Sequence, residues 1–344
     1  MNRLTEKYVS CCSGSVLVLV LIVVSAMTIV AFGLAYQTRI EMRLSKADSQ
    51  QAVLHNLALC GLEAAKAILC EKELTSEQTA RVCRFYPAKD TLKLFEQLKL
   101  SLDEDISVVF LIKDESSLLN LNKSNSAIWE NIPSFGREKR ACILDWADGD
   151  SDTNPDGADT DYYERLEKPL VCKNEPFICL KELLFVKNIT RGDYLGNIIN
   201  QEIMNPDDME VLFDSDSARQ MPLINTFTTF GQETVNINTV SGQVLSILPG
   251  LDQQAADTVL AYCSGPDGTP DTDDDRFFEK AEDIAHIEGL TELQKELLGQ
   301  YCCFNSDTFR VFSLAKNNRQ AYLLMATIRS TENNPQIISV ERLL

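Results

Sequence analysis

Two runs of aspartates are the residues whose type and spacing point to chemistry. The first, DGDSDTNPDGADTD, places side-chain oxygens at Asp148, Asp150, Asp152, Asn154, Asp156, Asp159 and Asp161. Within it, Asp152-x-Asn154-x-Asp156-Gly157 matches the first half of an EF-hand loop, glycine at position six included. Position twelve, where a bidentate glutamate belongs, is Tyr163, so Asp159 and Asp161 are the residues left to supply the missing oxygens. The second run, GPDGTPDTDDD, carries Asp267, Asp271, Asp273, Asp274 and Asp275. Hard oxygen ligands at alternating positions suit Ca²⁺ and not a transition metal. Like charges this dense repel one another, so a bound cation would order each loop. Calcium is the expected ligand; a solvated acidic loop is the alternative for each.

Other chemistry finds little support. Nucleophile elbows, H-E-x-x-H, P-loops and G-x-G-x-x-G are all missing; of the two histidines, His55 lies on the expected long N-terminal helix and His286 at an expected packing position. An enzyme is not expected. Of eleven cysteines, Cys11 and Cys12 lie near the N-terminus; the other nine show no C-x-x-C spacing, which argues against zinc. Cys70 and Cys83, and Cys172 and Cys179, are close enough in sequence to pair in an oxidising compartment, although many buried cysteines act simply as small apolar residues. The balance of 32 Lys+Arg against 51 Asp+Glu gives a formal charge of −19. That opposes a nucleic-acid ligand, whose affinity comes largely from cations neutralising phosphates.

The elements that must carry these loops begin at the N-terminus. Residues 15–36, SVLVLVLIVVSAMTIVAFGLAY, are uncharged and long enough as a helix to cross a bilayer. A polar leader, residues 1–14, precedes them, with Arg3 and Lys7. Small-residue cleavage signals do not follow the run, so the apolar helix is expected to stay on the mature protein. The flanking charge predicts a cytoplasmic N-terminus and an exported body. Apolar residues continue at helical spacing through Ile68 without a proline, which predicts one helix from Ser15 to Cys70.

A β-rich run at 105–116 and three more at 309–316, 320–330 and 336–344 predict an antiparallel sheet against that helix, and TLKLFEQLKLSL reads as a short helix. Between the first strand and the last three lies a duplication. Residues 120–150 align without gaps on 236–266, Asn120 and Asn122 falling on Asn236 and Asn238. Residues 176–190 then align on 277–291. The insert therefore reads as two related helical units, 120–200 and 236–304, joined by a polar connector. ILPGLDQQAADTVLAY in the second unit looks like a helix-hairpin-helix, so a membrane-anchored DNA-binding protein is an alternative function. Against it, this hairpin has no flanking Lys or Arg and presents Asp252 and Asp257.

Gly14 followed by an apolar run resembles the prepilin-peptidase site, with Ser15 as the first mature residue. The long helix resembles the spine of the type IV pilin fold. FLIKDESSLLNLN, ILDWADGDSDTNPDGADTDYY, PFICLKELLFVKNIT and VNINTVSGQVLSILPG, in that order, resemble segments of the type II secretion minor pseudopilins of the GspK family, with Asn188 replacing a usual glycine. Most pilins carry glutamate at the fifth mature position, where this chain has Leu19. A carboxylate in the bilayer is costly unless paired. A subunit with nothing ahead of it has no partner for one, which makes Leu19 a marker of the tip position. The resemblance implies an α+β, type IV pilin-like fold: leader 1–14, transmembrane part 15–36, spine and start of the body 37–119, inserted α-domain 120–304 of two SAM-like or helix-hairpin-helix units, and C-terminal strands 305–344. It also implies calcium in the insert and an inner-membrane protein with a periplasmic body. As partners it implies GspI- and GspJ-like minor pseudopilins, the major pseudopilin and the prepilin peptidase. A type IV pilus minor pilin is the nearest alternative.

Overall fold

The computed structural model describes residues 13–70, 74–83, 85–86, 106–124, 126–132, 135–196, 221–270, 272–330 and 335–343. The expected short helix over 91–102, Pro133, Asp271 and the connector 197–220 lie outside the described residues. The chain divides into two units, 1–53 and 54–344.

Helix α1 runs Ser13–Ile68 without a break, as the absence of proline and the continuous apolar spacing require. In the first unit its described side chains are nearly all exposed, Val16 through Val24 without exception. Ser25 and Thr28 donate their hydroxyls back to the carbonyls of Ile22 and Val24, so even the polar residues of this segment have internal partners. It is a helix long and apolar enough to cross a membrane.

The second unit opens with the C-terminal turns of α1 and the short helix α2, Ser76–Val82. Its sheet has the order β1-β2-β7-β8-β9, all antiparallel. The strands are β1 Phe85–Tyr86, β2 Ser107–Asp114, β7 Thr308–Lys316, β8 Ala321–Arg329 and β9 Gln336–Arg342. β2 pairs with β7 from Ser107↔Lys316 to Asp114↔Phe309, so the insert leaves and re-enters at one end of two adjacent strands. Side chains alternate across the pleat. Val108, Phe110, Ile112, Phe309, Val311, Leu324 and Ala326 face a stripe of α1 made by Leu54, Ala58, Leu62, Ala65 and Leu69. Val109, Leu111, Phe312, Leu314, Leu323 and Met325 face the other way, into the core of the insert. Covering both faces explains why β7 and β8 are buried almost without interruption, whereas edge strand β9 is not.

The insert is two copies of one unit. In the first, β3 (Leu119–Asn120) leads to α3 (Ser126–Asn131), α4 (Arg137–Ala147), α5 (Thr160–Glu164), a 3₁₀ segment Leu180–Phe185, α6 (Arg191–Leu195) and α7 (Leu223–Thr226). It closes on β4 (Phe227–Thr228), which pairs parallel with β3. In the second, β5 (Val235–Asn236) leads to α8 (Gly242–Ser246), α9 (Gln253–Cys263), a 3₁₀ segment Ala281–His286 and α10 (Glu292–Tyr301). It closes on β6 (Cys302–Cys303), parallel with β5. The first copy thus extends past residue 200 to the closing strand at 227–228.

The copies share their polar joints as well as their helices. The Asn122 amide donates to the Phe177 carbonyl at 2.9 Å and accepts from its N–H at 2.8 Å. Asn238 makes the same pair with Phe278, at 2.9 and 2.8 Å. Asn188 and Gly289 occupy equivalent turns, both with positive φ (65° and 91°). Asparagine tolerates that region better than most residues, which is why it stands in for glycine. Thr190 and Thr291 then cap the helices that follow. We expect Asn238→Ala to cost about 2–4 kcal/mol, because it strands an N–H and two carbonyls in the second copy; urea unfolding of the variant measures it.

Candidate functional site

The site grows from the C-terminal end of α4. This helix buries Ala141, Cys142, Ile143, Asp145 and Trp146 against the first repeat and ends at Asp148. Asp145 and Asp148 therefore sit where the helix dipole is negative, an unfavourable place for carboxylates. Asp145 is completely buried. Its Oδ1 accepts from the backbone N–H and the amide of Asn154, at 3.1 and 2.5 Å. Asp159 caps α5 through its Oδ1, and Asp150 accepts from the N–H of Asp152.

After these bonds, Asp145 Oδ2, Asp148 Oδ1 and Asp159 Oδ2 remain buried with no hydrogen-bond partner. One oxygen each from Asp148, Asp150 and Asp159 lie within 4.8 Å of one another. Ligands on opposite sides of a calcium bound at about 2.3–2.6 Å are themselves roughly 5 Å apart, so the spacing fits. Burial, with Asp150, Asp145 and Asp159 adding repulsion, pushes the Asp148 carboxyl up to about 6. Buried carboxylate oxygens without donors are costly unless a cation meets them. The residues present fit a hard divalent cation: Asp148, Asp150 and Asp159 would hold it, with Asp145 beside them.

The structure thus gathers three of the seven residues expected from this loop. Asp152 is exposed, Asn154 serves Asp145, and Asp161 pairs with Arg165 at 3.0 Å. Asp156 adopts φ 71° and faces Arg137 at 3.7 Å. The EF-hand-like half-motif therefore shapes the turn, while the clustered oxygens come from its flanks. Asp145 escapes a reading based on loop spacing because it lies in the helix before the loop. Its signal is a charge at an inward position of an apolar helix face.

Gly157 closes the loop against Asp145. A Cβ there would overlap the Asp145 carboxylate and press on the Asn154 carbonyl. If the cluster binds calcium, Gly157→Ala should lower the affinity at least about tenfold, an effect titration calorimetry on the variant reads directly.

The second acidic loop is arranged differently. Asp274 accepts from the Asp267 N–H at 3.1 Å and the Thr272 hydroxyl at 2.7 Å; the Thr272 bond leads in holding its carboxyl below the usual range. Asp267 accepts from the Thr269 N–H, Asp273 is exposed and Asp275 is half-buried. Among the described residues, no cluster of three carboxylates forms here.

All nine described cysteines are free thiols, so neither Cys70 with Cys83 nor Cys172 with Cys179 is bridged. Burial pushes the Cys172 thiol up to about 11 and raises that of Cys142, which keeps both protonated. In the hairpin of the second repeat, Asp252 caps α9 by accepting from the Ala255 N–H at 2.8 Å. A carboxylate thus occupies the helix N-terminus that a DNA phosphate would need.

Residues 135–195 match the family model of the type II secretion system protein K, first domain. That span holds α4, the acidic cluster and the 3₁₀ segment of the first repeat. No curated protein sequence matches the chain. Among solved structures it is similar to a chain of the GspK–GspI–GspJ complex from the type 2 secretion system of enterotoxigenic Escherichia coli. The identity is 14%, the TM-score is 0.49, and 89% of this chain and 99% of that chain are covered. Residues 135–195, around the acidic cluster, are thus similar to the first domain of the type II secretion system protein K.

Proposed function

We propose that the chain is a minor pseudopilin that sits at the tip of the type II secretion pseudopilus, where it primes assembly and so supports export of folded proteins. The observation that carries this reading is the protein K domain within a duplicated helical insert, set between adjacent strands of a pilin-like sheet. An insert of this bulk would collide with neighbours along the side of a packed filament and is free of that conflict at its end. The apolar Leu19 agrees with a subunit that has no predecessor to greet.

The partners in this reading are two minor pseudopilins of the GspI and GspJ kind, with the major pseudopilin joining behind them. The prepilin peptidase would cut between Gly14 and Ser15. The apolar helix holds the unassembled subunit in the inner membrane, N-terminus in the cytoplasm and body in the periplasm. The role is structural: a bound cation would fix the first repeat and carry out no reaction. Mixing the soluble body with its two sibling minor pseudopilins should give a stable ternary complex on size-exclusion chromatography. Separate elution of all three would overturn the assignment.

A further inference from the structure

Just past the apolar run, α1 sorts its charges by face. Arg39, Arg43 and Lys46 are spaced by four and three residues, so they form one stripe. Glu41 and Asp48, seven residues apart, form another. Each acidic residue stands two or five positions from Arg43 and Lys46, about half a turn round the helix. The two signs therefore do not meet within α1. All three basic side chains are exposed, and among the described residues no carboxylate pairs with them. Glu41 instead accepts from the Gln37 amide at 3.1 Å. Like charges at this spacing repel and weaken a helix, a cost that an anion lying against the stripe removes.

The height of the stripe selects the anion. Tyr36, exposed and aromatic, closes the apolar run at the level where tyrosines sit in a membrane interface. From it, Arg39, Arg43 and Lys46 follow at about 4.5, 10 and 15 Å along the axis. The polar headgroup region is about 5–7 Å deep on each side of a bilayer. Helix side chains lean towards the N-terminus, here back towards the membrane. The two guanidinium groups can thus reach the layer of lipid phosphates, and the Lys46 ammonium lies within a Debye length of it. Guanidinium forks also match phosphate oxygens in geometry. In the orientation proposed above the stripe is on the exported side, where Lys and Arg are ordinarily sparse. A chain with a charge of −19 is repelled as a whole by an anionic surface, and the stripe gives it a local contact of the opposite sign.

We propose that Arg39, Arg43 and Lys46 bind the phosphate groups of anionic phospholipids in the leaflet from which α1 emerges. The contact fixes the depth and the rotation of the unassembled subunit, because only one face of the helix carries it. This inference rests on α1 spanning the membrane and on nothing about the partners.

The test is electron spin resonance on the full chain in phosphatidylcholine vesicles, with spin-labelled phosphatidylglycerol or phosphatidylcholine as the probe. Lipid held against the helix moves more slowly, and the slowed fraction gives the relative association of the two probes. Phosphatidylglycerol should be preferred at least about threefold in low salt, within the roughly fivefold per basic residue available at a membrane surface. The preference should fall towards unity in about 1 M salt, where the Debye length is about 3 Å. Arg39→Gln with Arg43→Gln and Lys46→Gln should remove it, whereas Glu41→Gln with Asp48→Asn should preserve it. If the triple variant does not enter vesicles, Arg43→Gln alone should lower it. Equal slowing of the two probes overturns the proposal. So does a preference that survives the triple substitution and disappears with Arg3→Gln and Lys7→Gln, at the other end of the span. Loss of the preference to inorganic phosphate, but not to chloride of equal ionic strength, overturns it in favour of a free-phosphate site. Slowed lipid with neither probe overturns the membrane reading of α1, and this inference with it. The ternary complex of soluble bodies forms without this stretch of α1, so the assembly role fails or stands separately.

Discussion

Arg310→Met is expected to destabilise the second unit by about 3–5 kcal/mol. The Arg310 guanidinium lies on β7 at 2% exposure and clamps the fully buried Glu115 with two bonds of 2.8 and 2.9 Å. Its remaining donors reach the carbonyls of Ile224 and Phe227, in the segment that closes the first repeat. Removing it strands a buried carboxylate and two buried carbonyls at once. Asp114, next in sequence to Glu115, holds the second repeat in the same way, accepting from Asn236 and Thr239 at 2.8 and 2.7 Å. The end of β2 therefore fastens both copies of the insert to the sheet through two adjacent carboxylates. Urea unfolding checks the prediction, and the pair Arg310→Met with Glu115→Leu separates causes. If the uncompensated charge dominates, the double variant should recover most of the loss, because no buried ion is left without its partner.

The second large effect is the one expected on metal removal if the acidic cluster holds calcium. At a free concentration about a hundredfold above Kd, a ligand that binds only the folded state adds about 2.7 kcal/mol. For a repeat domain of this size that corresponds to a melting-temperature drop of about 5–10 °C on adding EDTA. The drop should depend on pH. The Asp148 carboxyl, pushed up to about 6 by burial and its acidic neighbours, holds its proton in the fold more tightly than in the unfolded chain. Its contribution to stability is therefore full below about pH 4 and is lost as pH rises through 6. Above that the cluster carries its whole repulsion and a cation relieves it; below it protons compete with the cation. Calorimetric melts with and without EDTA should differ most at pH 7–8 and converge towards pH 5. Asp159→Asn, which removes a clustered charge and keeps the side chain's shape, should make the melt insensitive to EDTA. An unchanged wild-type melt with no metal by elemental analysis would remove calcium from the picture.

The fold was largely legible from the chain. Four runs rich in Val, Ile, Leu and Phe became β2, β7, β8 and β9; the first three are covered on both faces and so read as near-continuous apolar runs. The α1 spine followed from apolar spacing and the lack of proline. The duplication was visible because each copy must bury the same faces and satisfy the same backbone groups. Asn122 with Phe177 and Asn238 with Phe278 are such groups, and they fall at matched positions in the alignment. The pairing of β3 with β4 was not legible. It joins segments more than a hundred residues apart and rests on two-residue strands, too short for any pattern.

The acidic loops show the division most clearly. Composition and local pattern alone determined that this chain opposes polyanions, that its aspartates are concentrated in two short runs, and that one helix is apolar enough for a membrane. Those are properties of residue type and local period, which need no distant contact. Which carboxylates meet was decided only by tertiary structure. Asp148 and Asp150 approach Asp159 because α4 ends and α5 begins at opposite ends of one turn, while Asp145 enters from within the helix. In the second repeat Asp267 and Asp274 accept instead from N–H and hydroxyl donors within the loop. Charge density sets the need for a partner; the path of the backbone decides which carboxylates the loop's own donors can reach.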